Sequence, residues 1–582
     1  MGWMFSLVLL APALFGQLSP TLLYDLDPTQ PLGTVFVFQG SPGSTDPGPY
    51  QYRFRTRQGD APFSVVRDFG PSAELIWGSY DVEGRYEIEL TLRNTVTRET
   101  ATTTATLDLF PLANSDFPVV SGTWHPLVFH YAAPACPAGA SMKVVWQRPD
   151  GGMAEAPAKP CDGVRTMNFL VAGLRTSSAY TIWHELSGPN LAGKGPDLTF
   201  STPAVEVPVA SVQVSPTGAD QPGLVLQSPL GQMIVAHDLQ GNIIWFYAND
   251  TSNLTRPATG GRFLAIVQDP IQGTEHQAFR LFDLTGLTLK ETNAARINEQ
   301  LAAMDVHEIT GFHHEALAMP DGKFLVLASS ERILKDVQGA GEVDVVGDTI
   351  IVLDQELRVT WVWDSFDHLD PRQMAIMGET CTPAGGGCPA FYKAAVANDW
   401  LHSNSLHLAP DGNIIVSVRH LDQIIKIDYQ NGVAWGEVLW RFGKDGDFKV
   451  ESDDPWPWPS HQHDASILYD GTLLVYDNGN TRRAADALAH SRGQRWELDE
   501  TTMTARPLLN ADLGVYAAAL GSAQLLTDGT YHFNSGYLFR PPFSMEAQSV
   551  QTDAGGNTVW KCTTPTPVYR TFRMKDLYTP GQ

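Results

Sequence analysis

Three short stretches carry the residues best able to do chemistry: "HHEALAMPDGKFLVLASS", "NSLHLAPDGNIIVSVRH" and "HDASILYDGTLLVYDNG". Each reads as strand, Asp-Gly turn, strand. Aligned on Gly322, Gly412 and Gly471, they place His314, Asn404 and His463 eight residues before the glycine. Phe312, His402 and His461 stand ten before, and Ser329, Arg419 and Asn478 seven after. Strand residues two apart share a face. A hairpin sets the start of its first strand beside the end of its second. Asn404 is therefore expected near Arg419, and His463 near Asn478. Two plainer copies, at Gly231 and Gly529, have only Gly223 and Gly521 at the eight-before position. The strand itself does not demand an imidazole there.

The chemistry follows from residue type. Several histidines can hold a transition metal, but an arginine among them repels a cation. Arginine beside histidine suits a tetrahedral oxyanion, whose oxygens take bidentate contacts. Neutral imidazole is a nucleophile, and a sulfuryl or phosphoryl group is open to attack at its central atom. Taken singly, each histidine reads first as a structural staple. Taken together at aligned positions, His314, His402, His463 and Arg419 read as a site. His407 and His420 fall outside the alignment and read as structural or supporting. His313 is expected to point away from His314, His461 is left undecided, and Asp464 either orients His463 or is solvated.

The elements that must gather these residues are repeated. An aspartate is followed seven residues later by tryptophan in "DLQGNIIW", "DQELRVTW" and "DAGGNTVW". Degenerate copies start at Asp283 and Asp499, and an expanded one runs from Asp428 to Trp440. Six such units of strands and turns over residues 206–582 predict a six-bladed β-propeller, each unit giving a blade's last turn and outer strand. A parallel β-helix is the alternative, with shorter repeats. In a propeller, equivalent inner-strand ends meet at one mouth of the central channel. Upstream, "GRYEIELTLRN" alternates with period two, which predicts an immunoglobulin-like β-sandwich over 17–112. "GLRTSSAYTIWHELSG" predicts a fibronectin III-like sandwich over 113–205, with Leu174 and Tyr180 at its tyrosine corner. The fold class is all-β.

Composition agrees. Hydrophobic residues make up 43% and charged residues 18% of 582, which excludes a disordered chain. The net charge of −25, with no basic stripe, argues against a nucleic-acid partner. "MGWMFSLVLLAPALFGQ" predicts a signal peptide over 1–16, because its apolar run is too short to span a bilayer. The expected location is secreted or periplasmic, with no membrane span. Cys136 with Cys161 and Cys381 with Cys388 are the plausible bridges, leaving Cys562 over. Spacing alone does not fix that pairing. No cysteine–histidine spacing predicts a metal centre.

"NDWLHSNSLHLAPDGNIIVSVRHLDQIIKID", "HQHDASILYDGTLLVYDNGNTR" and "FHHEALAMPDGKFLVLAS" resemble motifs of the bacterial arylsulfate sulfotransferase family, the kind that uses no nucleotide sulfate donor. The resemblance implies a six-bladed propeller behind an N-terminal β-sandwich. It implies sulfuryl transfer from a phenolic sulfate ester to a phenol through a sulfohistidine, with ping-pong kinetics and no cofactor. Carried over, His463 is the nucleophile, His314, His402 and Arg419 bind the sulfuryl oxygens, and Asn404 helps position them. One of the free imidazoles serves as acid and base. Tyr537 in "HFNSGY" is a candidate for the aromatic grip on the phenol. The chain departs from the family in having two sandwich modules and an aspartate directly after the nucleophile. The competing expectations are a metal-dependent propeller hydrolase or lactonase, and a non-catalytic protein that binds an anion or a glycan. A homodimer stays open.

Overall fold

The computed structural model describes residues 18–581 except 44–47, 115, 190, 210, 216–222, 249–252, 269–276, 383–386, 541 and 543. The leader expected over 1–16 lies outside the described residues. The described chain is almost entirely strands and turns, with short helices at Ala294–Ala303, Ser365–His368 and Asn480–Ala485. Among the described residues no helix is long and apolar enough to cross a membrane.

The first unit packs a three-stranded sheet (Thr21–Tyr24, Val35–Ser41, Glu74–Gly78) over an antiparallel ladder (Tyr50–Gln58, Ser64–Gly70, Gly84–Asn94, Thr100–Phe110). Phe36, Phe38, Trp77, Ile88 and Leu90 fill the space between them. Strand Gly84–Asn94 buries Tyr86, Ile88, Leu90 and Leu92 as its alternation requires. Glu89 and Thr91 on the opposite face are also buried. There Arg55 pairs with Glu89 at 2.5 Å and Arg57 with Glu87 at 2.5 Å, and the long arginine stems cover that face. In the second unit the Cys136–Cys161 disulfide closes the core beside Tyr131, Trp146 and Phe169. The Tyr180 hydroxyl accepts from Arg175 N at 2.7 Å, the expected corner bond.

Among the described residues, 224–574 form six antiparallel sheets of four principal strands, the second of which continues through a parallel bridge at Glu291 and Arg67 into the ladder of the first unit. The first joins Leu224–Pro229, Ile234–Asp238 and Ile243–Tyr247 to the last strand of the chain, Val568–Met574. The second is Asn253–Ala258 to Thr288–Asn293, and the third Gly311–Ala318 to Val359–Asp364. The fourth is Ser403–Leu408 to Val438–Phe442, the fifth His463–Ile467 to Thr504–Asp512, and the sixth Ser522–Leu525 to Thr558–Thr564. Strands 253–258, 311–318, 403–408, 463–467, 522–525 and 568–574 touch one another in that order, and 568–574 touches 253–258 again.

Local chemistry explains the repeats. Asp238 accepts from the amides of Gln240 and Asn242 at 3.0 and 2.9 Å. Asp354 and Asp553 do the same for the turn residues that follow them. The aspartate thus caps the turn that leads into the last strand of its sheet. Gly322, Gly412 and Gly471 sit at φ of 83°, 82° and 82°, a left-handed conformation that glycine adopts without cost.

Both N-terminal units rest on the sheets. Glu291 of the second sheet lies between Arg67 at 2.8 Å and Arg280 at 2.5 Å, and Arg296 pairs with Asp68 at 3.2 Å. Tyr578 donates to Leu170 O at 2.8 Å and accepts from Ala172 N at 2.9 Å, and Arg175 pairs with Asp238 at 2.6 Å.

Candidate active site

The catalytic candidates stand where strands begin and the ladders slip. Register shifts fall between Phe312 and Ala316, Ser403 and Ser405, and His463 and Ser466. His314 (φ 55°), His402 (φ 49°), His461 (φ 48°) and Asp464 (φ 54°) all take left-handed backbone at or beside these slips. Each such residue costs on the order of 1 kcal/mol, so surrounding contacts must hold it.

His463 is buried, and its Nδ1 lies 2.6 Å from Asn478 Oδ1. Asn478 Nδ2 donates to Ala517 O at 2.9 Å and Leu520 O at 3.0 Å. Those two carbonyls fix the amide's orientation and make Oδ1 the acceptor. His463 Nδ1 must therefore carry the proton, which leaves the lone pair on Nε2. Burial first, and then the charge of Arg419, hold His463 neutral well below the ordinary histidine range; His402 and Arg570 add to this.

His402 stands beside His314, with ring centroids 4.8 Å apart and tilted edge to face. His402 Nδ1 donates to Asp399 Oδ2 at 2.6 Å. Burial and Arg419 hold its pKa down to about 3, and burial pushes Asp399 up to about 6. His314 Nδ1 lies 2.8 Å from His313 Nδ1, so one donates to the other. Asp348, 3.2 Å from His313 Nε2, favours the proton on that nitrogen. His313 Nδ1 then accepts, and His314 Nε2 is left as the free base. Burial first, then His402, His313, His463 and Arg570, push His314 well below its ordinary value.

Arg419 follows strand Ile414–Val418 in a single 3-10 turn. Its guanidinium donates to His420 Nε2 and to Ala518 O, the latter at 3.3 Å, while Nε is buried with no partner among the described residues. Asn404 donates to Gln462 O at 2.8 Å and keeps a buried, unpartnered Oδ1. Asn404 and Arg419 flank the paired residues Ser403 and Val418. His420 stacks on His402 at 4.7 Å and bonds Asp399 O through Nδ1 at 2.7 Å. His461 is clasped by Asp422 at 2.7 Å and Glu379 at 2.5 Å. Burial opposes its charge, but hydrogen bonds to the two carboxylates outweigh it, and its pKa is raised. His407 bonds Ile467 O at 2.8 Å, an inter-sheet staple.

His314 thus packs on His402, Asn404 and Arg419 flank one residue pair, and both Arg419 and the Asn478 that holds His463 reach the segment 517–520. Tyr537 is only half-buried, and its carbonyl accepts from Ala518 N at 3.2 Å. It supports the segment 517–520 that holds Asn478 and Arg419, and among the described residues no ring contact ties it to the imidazoles. His313 turns towards His314 rather than away. Asp464 is neither solvated nor bonded to His463; it pairs with Arg256 at 2.6 Å. Sequence reasoning passed over Asp399, Glu379, Tyr569 and Arg570. Tyr569 donates to His314 O at 2.7 Å. Strand 568–574 has no Asp-Gly turn ahead of it, so the repeat alignment could not reach it. The strand's place in the first sheet is the signal that would have found it.

Comparison with known proteins agrees with the motifs. The sequence model described as "Arylsulfotransferase (ASST)" matches residues 209–570. Arylsulfate sulfotransferase AssT of Escherichia coli O6:H1 (strain CFT073) is 25% identical over 317 residues, covering 45% of this chain and 50% of the relative. Arylsulfate sulfotransferase AssT of Lelliottia amnigena is 27% identical over 240 residues, covering 34% of this chain and 39% of the relative. The chain spans about half the length or less of the curated relatives it matches. Among solved structures, the selenomethionine-substituted chicken interferon gamma receptor alpha chain matches at 8% identity. It covers 32% of this chain and 97% of its own, at a TM-score of 0.13, too slight a likeness to bear on the fold. The match over 209–570, more than half of the 582 residues, makes this chain a member of the arylsulfotransferase family.

Proposed function

We propose that the protein moves a sulfuryl group from a phenolic sulfate ester to a phenol acceptor, in two half-reactions that share a sulfohistidine at His463. The observation that carries this reading is the Asn478 contact, which puts the proton of His463 on Nδ1 and leaves the lone pair on Nε2. In the first half-reaction that lone pair attacks sulfur, and the S–O bond to the aryl group breaks with its electrons on the phenolate. Arg419, His314 and Asn404 face the sulfuryl oxygens and the developing charge. Burial keeps His314, His402 and His463 neutral, but a bound sulfate ester brings a negative charge that favours uptake of a proton from solvent to form imidazolium. His402, paired with Asp399, is the group best placed to take up that proton and give it to the departing phenolate. In the second half-reaction the acceptor phenol returns a proton to His402 and its oxygen displaces His463 from sulfur. No cofactor is required.

Six sheets with a common turn chemistry, inner strands touching in cyclic order, and a C-terminal strand completing the first sheet support a six-bladed propeller over 206–582. Residues 17–112 and 113–205 are read as β-sandwich modules that brace it. Two disulfides fit a secreted or periplasmic protein with a leader over 1–16. Donor set and charge argue against the metal-dependent alternative. His402 and His420 spend Nδ1 on Asp399, and His420 Nε2 faces the Arg419 guanidinium. The test is a donor–acceptor assay with a chromogenic aryl sulfate and a phenol, on wild type and His463→Ala. Transfer by wild type and none by the variant is expected; unchanged turnover in His463→Ala removes the proposed nucleophile.

A further inference from the structure

Behind the imidazoles lies a second set of buried charges that the chemistry above does not use. Arg256 Nη2 reaches Glu315 Oε2 at 2.8 Å and Asp464 Oδ1 at 2.6 Å. Arg570 Nη1 reaches the same Glu315 oxygen at 2.7 Å, and its Nη2 donates to Asn404 O at 2.5 Å. Asp464 Oδ2 accepts from Ala523 N at 3.1 Å. Glu315, Asp464 and Arg570 are 0%, 1% and 1% exposed. Two cations meet two carboxylates, so the set is neutral.

Its membership is the informative feature. Arg570, Arg256, Glu315, Asn404, Asp464 and Ala523 come one from each of the six sheets, in order from the first to the sixth. Their chain neighbours are the candidate site. Glu315 follows His314, Asp464 follows His463, and Arg570 follows Tyr569, whose hydroxyl bonds His314 O. Asn404 turns its carbonyl to Arg570 and its amide to the carbonyl of Gln462, the residue before His463. The left-handed backbone at His314 and Asp464 lies between these anchors. Stability alone does not account for such a network. Buried ion pairs are often no better for folding than apolar side chains of the same volume, whereas a lone buried charge is costly.

We propose that the Arg256–Glu315–Arg570–Asp464 network is a positioning device, which fixes the backbone at His314 and His463 from all six sheets and so sets the direction of their rings. The reaction it serves is the sulfuryl transfer proposed above, and the inference rests on that reading for its kinetic readout only. None of the four residues need touch the substrate.

The test uses Glu315→Gln, Arg570→Gln and the double variant Glu315→Gln/Arg570→Gln in the full chain. Three measurements are made: melting temperature, the burst of phenol release from a chromogenic aryl sulfate, and ¹⁵N-histidine spectra of the ring of His463. Each single variant leaves a buried charge short of its partner and is expected to melt lower. The double variant removes one charge of each sign and is expected to melt closer to wild type. Its burst rate stays at least about tenfold down while KM for the donor moves by less than about threefold, the pattern of lost orientation rather than lost binding. The sharp Nδ1–H signature of the His463 ring is expected to broaden or split. A double variant with a wild-type burst and a wild-type His463 spectrum overturns the proposal. If wild type itself shows no burst, the sulfotransfer reading fails, and the His463 spectrum alone decides whether the network positions the ring.

Discussion

Replacing Asn478 by alanine and by aspartate separates control of the nucleophile's tautomer from folding. Asn478 is fully buried and its side chain makes three hydrogen bonds: it accepts from His463 Nδ1 at 2.6 Å and donates to Ala517 O at 2.9 Å and Leu520 O at 3.0 Å. Asn478→Ala removes all three and strands two carbonyls and one N–H. At about 1 kcal/mol net per bond, plus the cost of orphaned groups, folding loses roughly 3–5 kcal/mol. The chemical loss is separate. The contact biases the ring towards the Nδ1–H form by about 1–3 kcal/mol, the cost of leaving that buried N–H unpaired. Without that bias the form with its lone pair on Nε2 no longer dominates, and the burst of phenol release slows by roughly 10–100-fold. Asn478→Asp keeps an acceptor for Nδ1–H and loses both donations to carbonyls. It should melt about as low as Asn478→Ala yet keep most of the burst. Its carboxylate also raises the pKa of His463, so the burst should gain an acid limb in addition to any that wild type owes to Asp399. Stopped-flow bursts at saturating donor, paired with denaturation midpoints, make the comparison. Equal loss of burst in the two variants, or a wild-type burst in Asn478→Ala, refutes the tautomer argument.

Because His463 and His314 are held neutral well below the ordinary histidine value, neither should generate an acid limb in the burst rate above about pH 6; a histidine at its ordinary value would already be half protonated near pH 6.5. An acid limb near 6 is assigned to Asp399, whose pKa is pushed up to about 6, and Asp399→Asn should abolish it. Arg419→Lys keeps a cation but loses the planar fork that donates to Ala518 O and faces His420; kcat/KM for the donor, from initial rates, should drop roughly 100-fold. Acid should also weaken the fold. Burial holds His125, His130, His237 and His407 at about 4, and His402, His420 and His532 at about 3. Above the unfolded value of about 6.5 both states are neutral and these groups contribute nothing. Below it the unfolded chain binds protons that the fold refuses, so each costs up to about 1.4 kcal/mol per pH unit until its folded pKa is reached. A melting temperature that holds constant from about pH 6.5 to about pH 5 contradicts this.

The turn chemistry made much of the site legible in advance. Gly322, Gly412 and Gly471 set one register for three hairpins, and of the residues eight before and seven after them it pairs His463 with Asn478 and sets Asn404 and Arg419 on either side of the Ser403–Val418 pair. Asn478 follows from the same register. What escaped came from outside it. Tyr569 and Arg570 belong to a strand that pairs with Leu224–Pro229 from the far end of the chain, a closure with no local signature. Asp399 ends a three-residue strand, Ala397–Asp399, added to the third sheet, and Glu379 directly precedes the two-residue strand Thr380–Cys381; segments that short have no periodicity to mark a side chain's direction. Asp464 looked like a solvated neighbour of the nucleophile because its partner, Arg256, is 208 residues away. Glu89 lies on the face of its strand opposite Ile88 and Leu90, and a cross-strand arginine buries it there. In each case a long-range contact decided the outcome.

The most direct measurement is peptide mapping of the protein after brief exposure to an aryl sulfate without acceptor, kept alkaline to preserve an acid-labile S–N bond. The mass of one sulfuryl group is expected on the peptide that contains His463, lost on acidification and on addition of a phenol. A sulfuryl group on another residue, or phenol release with no label on the protein, contradicts it.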